Sequence, residues 1–348
     1  MKNKILAAMI AAVIGAVLAA NPLFALSDKS LFDNAINVFG ESRTAKTKVK
    51  PVRSDLPDAL KRKANYQLQK GIENDSVFMV KAALVSGADA DLVYGGYGMT
   101  ALMYSLHNKC KIKISTLLIS YGADVNAKDD YGRTPLMHAL RQDYLEAAKL
   151  LIESGSDVNA KSNKGQTPLM YTAGYLSYPN RGLRQRLEVV KILLENGAKV
   201  NEKDNEGTTT LMMAIHVGYA ARFSWLLIDN GADVNAKDND SLTALMLAAW
   251  GPDPDTARLL LTRGADVHAR DSLGRTALMH AVQTISDFPS QVEEISDVVF
   301  ILIYNGININ ARDLKDRTAL TYAKDNWRNS STDYHKVVKI LVDNGAQE

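Results

Sequence analysis

Thr134-Pro135-Leu136-Met137 is one copy of a tetrapeptide, Thr-Ala/Pro-Leu-Met, that also begins at Thr100, Thr167, Thr243 and Thr276. Looser copies begin at Thr209 and Thr318, and the successive spacings are 34, 33, 42, 34, 33 and 42 residues. A period near 33 with helical patterning predicts a stacked array of small units rather than one closed globule. In such an array each unit touches only its neighbours, and the product is a long, shallow surface suited to binding.

Local chemistry explains the repeated residues. Thr134 stands where a helix N-cap is needed, and its hydroxyl can accept an orphan backbone N–H. Pro135 and Pro168 suit the first helical position, where a missing N–H costs nothing. Leu136, Met137 and Ala139 begin an apolar stripe, and Ala147, Ala148, Leu151 and Ile152 continue it on a second helix. Gly155 ends that helix, because glycine takes the left-handed conformation cheaply. Asp129-Asp130-Tyr131-Gly132 then has turn chemistry. In two units Ser241 and Asp316 replace the turn glycine.

A second marker alternates with the first, as Gly87-Ala88-Asp89, Gly122-Ala123-Asp124, Gly155-Ser156-Asp157, Gly231-Ala232-Asp233 and Gly264-Ala265-Asp266. The two markers together resemble the ankyrin repeat, over about residues 57–348. The resemblance implies an all-α repeat solenoid. It would have helix-turn-helix units with β-hairpin tips, about seven of them, plus an N-terminal capping repeat near 58–87. One departure is consistent: the family's His after Leu is Met at Met103, Met137, Met170, Met212, Met246 and Met279. Their shared helix position predicts core packing rather than a metal or redox role.

A larger period sits above the smaller one. Thr100, Thr209 and Thr318 are each 109 residues apart, and 100–208 aligns with 209–317 without a gap, as expected from duplication of a three-unit block. Extra residues fall between the two helices of the third, sixth and seventh units. They include Leu176–Gly182 and Ile285–Ser290, and they either lengthen the helices or form a protruding loop.

Three segments precede or form the array. Lys2 and Lys4, the apolar run Ile5–Ala20 and Leu23-Phe24-Ala25 read as a signal peptide over 1–25, and the run is short for a membrane span. Residues 26–56 are an extension and basic linker, and 57–348 are the repeat domain. Residues 42–63 carry eight Lys or Arg against two Asp, and such a segment can contact anionic lipid. The overall formal charge is only +2, and no nucleic-acid partner is expected. The single cysteine, Cys110, excludes an internal disulfide.

No catalytic constellation emerges. The six histidines are scattered without metal-ligand spacing, and no phosphate loop or nucleophile elbow is present. The chain reads as a non-enzyme with no cofactor, a monomer that binds a protein partner in the periplasm or outside the cell. Alternatives are an envelope-tethered scaffold with an uncleaved N-terminal helix, or a secreted effector binding host proteins. By the resemblance, binding falls on the concave face, formed by hairpin tips and first-helix ends. Position by position this gives Tyr131, Arg133, Arg141, Tyr175, His216, Trp250, Leu273 and Arg275. Trp250 leads, because Arg141 stands at its place in the other block and the fold does not require a ring there. Trp225 and Phe300 occupy a second-helix position that is Lys149, Lys191, Arg258 or Lys339 elsewhere. Phe300 is expected to lie under its unit's insert, and Trp225 has no such explanation.

Overall fold

The computed structural model describes residues 57–174, 183–216, 221–284, 289–327 and 334–347. The signal segment, most of the basic linker, Tyr175 and residues 176–182 and 285–288 of the inserts lie outside these.

The capping unit pairs α1 (Asp58–Glu73) with α2 (Val77–Val85). The first repeat opens on β1 (Val93–Tyr94) and β2 (Met99–Thr100), followed by α3 (Ala101–His107) and α4 (Ile112–Ser120). The second is α5 (Pro135–Arg141) and α6 (Leu145–Glu153), and the third is α7 (Pro168–Gly174) and α8 (Leu183–Glu195). The fourth is α9 (Thr210–His216) and α10 (Ala221–Asp229), and the fifth is α11 (Ala244–Trp250) and α12 (Pro254–Thr262). The sixth is α13 (Ala277–Gln283) and α14 (Val292–Tyr304), and the seventh is α15 (Ala319–Trp327) and α16 (Tyr334–Asp343).

The repeat residues act as their chemistry suggests. The hydroxyls of Thr100, Thr134 and Thr243 accept the N–H three residues on, at 3.4 Å each. Thr276 is the exception: its hydroxyl is buried without a partner. Met103, Met137, Met170, Met212, Met246 and Met279 are all buried. In the third and sixth units the second helix has 13 residues where the second unit has 9, so part of each insert is about one further helical turn.

The tips are shorter than full hairpins. Among the described residues, paired strands occur only in the first unit, with Val93 opposite Thr100 and Tyr94 opposite Met99. Single antiparallel bridges, Lys203 with Thr209 and Lys237 with Thr243, lie within the fourth and fifth tips, and at the second the turn is closed locally: Gly132 donates to the Asp129 carbonyl at 2.8 Å, and Asp129 N–H to the Arg133 carbonyl at 3.0 Å. The remaining hydrogen-bonding capacity runs between units. Asp130, Asn163, Asn205, Asn239, Ser272 and Leu314 each donate a backbone N–H to the preceding tip, onto Tyr97, Tyr131, Lys164, Glu206, Asp240 and Leu273. This close approach adds a second demand on the turn glycine. Gly132 has φ +69°, and a Cβ there would stand 2.4 Å from Asn163 Oδ1 and 2.7 Å from its backbone nitrogen.

A ladder of asparagine side chains ties the units beside the tips. Asn126, Asn159, Asn201, Asn235 and Asn310 each donate to a glycine carbonyl of the next turn. Each also accepts a backbone N–H two residues beyond that glycine. His268 holds the equivalent place and makes no side-chain bond among the described residues. Cys110 is buried, with its thiol 3.6 Å from the Ile72 carbonyl, so it does not stand ready to pair with another chain.

Candidate functional site

The second, sixth and seventh tips are built around a buried carboxylate. Asp129 accepts the backbone N–H groups of Tyr131 (2.9 Å) and Arg133 (2.8 Å), the Arg133 Nε–H (2.8 Å) and a 2.9 Å contact from His138 Nε2. Asp271 repeats this with Leu273, Arg275 and His280. Asp313 does so with Lys315 and Arg317, and Tyr322 takes the place of histidine. Burial pushes the Asp129 and Asp271 carboxyls upward. The donors converging on them outweigh it and hold both below the usual carboxylate range. His138 responds oppositely: burial drives it down to about 4, against the pull of Asp129. Its Nδ1 is buried without a partner, so the proton is placed on Nε2, facing Asp129.

Arg133 and Arg275, candidate contact residues from the sequence, are therefore committed to the fold. Their side chains are 14% and 21% exposed and their guanidinium groups belong largely to the carboxylates. What the cluster presents outward is the next side chain. Tyr131 is half-exposed under the Arg133 guanidinium, 4.4 Å from its ring centre, and Tyr97 lies 6.0 Å away. In the sixth unit the presented residue is Leu273, also half-exposed.

The first-helix ends carry a second row. His107 Nδ1 lies 3.1 Å from Gln142 Nε2, and its ring meets His138 edge-on at 6.1 Å. Burial lowers the His107 pKa, and the neighbouring Arg141 and Arg133 charges lower it further. Arg141 ends α5 and is exposed. Trp250 stacks on His216 of the preceding unit, with ring centres 5.4 Å apart and planes 10° from parallel. Its carbonyl accepts the Thr284 hydroxyl at 3.0 Å.

The predicted residues thus form three groups rather than one. Tyr131, Arg133 and Arg141 stand with Tyr97 and His107 in the first two units. His216 and Trp250 form a pair across the fourth and fifth, and Leu273 and Arg275 share the sixth tip. The sequence reading missed Asp129, His138, Asp271 and His280. Their signal was present: Asp five residues before the motif threonine, Arg one before it and His four after it. On the second-helix face, Phe300 is 49% exposed and Trp225 47%, and insert residues 285–288, expected over Phe300, lie outside the described residues.

Among the described residues no cluster of three His, Cys, Asp or Glu side chains is arranged to hold a metal ion. No described helix is long and apolar enough to cross a membrane. A comparison with curated proteins returned no match. The family model for ankyrin repeats (3 copies) matches residues 68–162, 155–238, 183–271, 211–313 and 245–348. Those matches overlap into a continuous span that agrees with the stacked helix pairs, the capped threonines and the inter-unit ladders: the chain belongs to the ankyrin-repeat family, a family of protein–protein interaction modules.

Proposed function

We propose that this chain is an exported, non-catalytic scaffold that binds a protein partner across its tips and first-helix ends. The observation that carries this reading is the His216–Trp250 stack, which places a large ring where the fold itself accepts Arg141. Trp, Tyr and Arg dominate interface hot spots. Here Tyr131 and Tyr97 are exposed and Trp250 half-buried, on elements whose own hydrogen bonds are already satisfied. Three anchor groups, in units one to two, four to five and six, suit a partner that spans several repeats. A stable interface of this kind buries roughly 1,600 Å² in total. Export rests on the charged, then apolar, then small-residue order of residues 1–25.

Fractionation tests the compartment: the protein is expected in the soluble periplasm or the medium, and retention in salt-washed membranes would contradict cleavage. Affinity capture from the matching fraction tests binding. A protein retained by the wild-type chain and lost with Trp250→Ala is the expected result, and equal retention by both would place contact elsewhere.

A further inference from the structure

The tips carry a side-chain ladder of their own. Asn163, Asn205 and Asn239 each donate an amide to the carbonyl of the equivalent residue in the preceding tip, Asp130, Asn163 and Asn205, at 2.8, 2.9 and 3.0 Å. In the seventh unit that place is Leu314, which keeps the backbone bond to Leu273 at 3.0 Å but has no amide to give. Its side chain lies against the turn glycine of the sixth tip, where a Cβ on Gly274 would stand 3.4 Å from Leu314 Cγ. Leu314 is 77% exposed there, and Leu273 beside it 48%. A lone exposed leucine is ordinary on a protein surface. Here two stand on adjacent turns, and one of them forgoes a hydrogen bond that three other tips make. The fold gives no reason for that choice, whereas contiguous exposed apolar side chains mark contact sites.

The charges around this pair differ from those of the middle tips. In the fourth and fifth units Asp204 and Asp238 accept only backbone N–H groups among the described residues, and Glu206 and Asp240 are exposed at the same turns. In the sixth and seventh, Arg275 and Arg317 neutralise Asp271 and Asp313 from within. Arg270 and Lys315 stand exposed at these two turns, and among the described residues neither pairs with a carboxylate. Asp316 is held by Arg312 at 3.0 Å. Asp240, whose carbonyl accepts the Ser272 N–H, bounds the patch on the fifth-unit side. The last two tips therefore present an apolar pair with a basic rim.

We propose that the Leu273–Leu314 pair is the docking point for an acidic polypeptide segment. An apolar side chain of the segment packs on the two leucines, and its flanking carboxylates face Arg270 and Lys315. Covering the leucines removes from water the apolar surface that the fold leaves exposed, and the opposite charges steer encounter and fix orientation. The inference rests on the protein-binding reading above and names the chemistry of one stretch of the partner. It shares no residue with the His216–Trp250 stack, so the two can fail separately.

The probe is a fluorescein-labelled peptide of Asp and Glu with one central Leu, titrated with the full chain and followed by anisotropy. Saturable binding is expected, weakened about tenfold in Leu314→Asn and reduced by Lys315→Glu and by added salt. Trp250→Ala should leave it unchanged. Leu314→Asn supplies the missing ladder amide, so its thermal unfolding should be no lower than wild type, which separates a lost contact from a lost fold. The proposal is overturned by absence of saturable binding, by equal affinity in Leu314→Asn, or by equal binding of a Lys-rich peptide with the same Leu. Loss of the peptide in Trp250→Ala would overturn it too, by moving the contact to the stack. So would self-association or anionic-vesicle binding that depends on Leu314 while the peptide fails to bind. A peptide that fails while a captured partner still depends on Trp250 would remove this inference alone and leave the reading above intact.

Discussion

Residues 100–208 and 209–317 align without a gap, yet the two blocks build the same series of helix pairs with different chemistry. In the first, Arg186 on α8 is only 2% exposed, bonded at 2.5 Å to Asp143 and at 3.2 Å to the Thr172 carbonyl. In the second, the equivalent positions are Ile295 and Pro252, both buried. Likewise, Asp129, Arg133 and His138 of the second unit become Asp238, Leu242 and Leu247 of the fifth, where Asp238 keeps only its backbone donors. The fold therefore demands that these sites be filled and internally satisfied, and leaves open whether ions or hydrocarbon do it. Buried ion pairs are seldom more stable than apolar substitutes of similar size, but breaking one is expensive.

Asymmetric substitutions should break this equivalence most sharply at Arg186. Asp143 sits at φ +55°, which Asn tolerates, so Asp143→Asn removes the charge and keeps the turn. Losing the charge beside the buried guanidinium, which keeps its bond to the Thr172 carbonyl, should cost about 3 kcal/mol in denaturant unfolding. Adding Arg186→Ile, the second block's residue, should recover most of that loss. A double variant as unstable as the single one would show that the pair is not interchangeable with its apolar counterpart.

A pH titration separates the blocks next. His138 has a folded pKa of about 4, below the ordinary value near 6.5, so the unfolded chain takes up the proton first. Stability is then intact above roughly pH 6.5 and falls as pH drops toward 4, by about 3 kcal/mol in all. His138→Leu, copying Leu247, should remove most of that slope, leaving the part that comes from His107, whose pKa burial also lowers, and the loss below about pH 4 that comes from carboxylates such as Asp129. An unchanged slope in unfolding curves would exclude His138 as its source.

Smaller effects are expected at the tips. Gly132 corresponds to Ser241, which holds φ +61° and lies beneath Ser272, where the first block has Asn163. Gly132→Ser should cost about 1–3 kcal/mol. Adding Asn163→Ser should return part of it in a double-mutant cycle, and strict additivity would mean that the two positions do not touch. Smallest is His268, the counterpart of Asn159. His268→Asn should restore the two ladder bonds and gain about 1 kcal/mol, visible as slower amide exchange in the seventh unit.

How far the sequence alone carries depends on the kind of interaction. Threonine caps, the buried methionines and the glycine-terminated helices follow from spacing, because each is set by residues a few positions apart on one element. The Asp129 and Asp271 clusters do not, because the histidine and the carboxylate are nine residues apart across a turn and a helix start. Arg186 escapes for a related reason: a charged residue early in a helix reads as exposed, and only its partner in the preceding unit shows that it is buried. The pairing of His216 with Trp250 required knowing how neighbouring first helices align.

The most direct measurement is the affinity of the captured partner for Tyr131→Ala/Trp250→Ala, made alongside its thermal unfolding. Neither ring belongs to the buried skeleton, so the melting transition should stay close to wild type while binding weakens about thirtyfold or more, a loss of about 2 kcal/mol or more. Unaltered affinity in a folded double variant would contradict the claim that the tips and first-helix ends form the binding face.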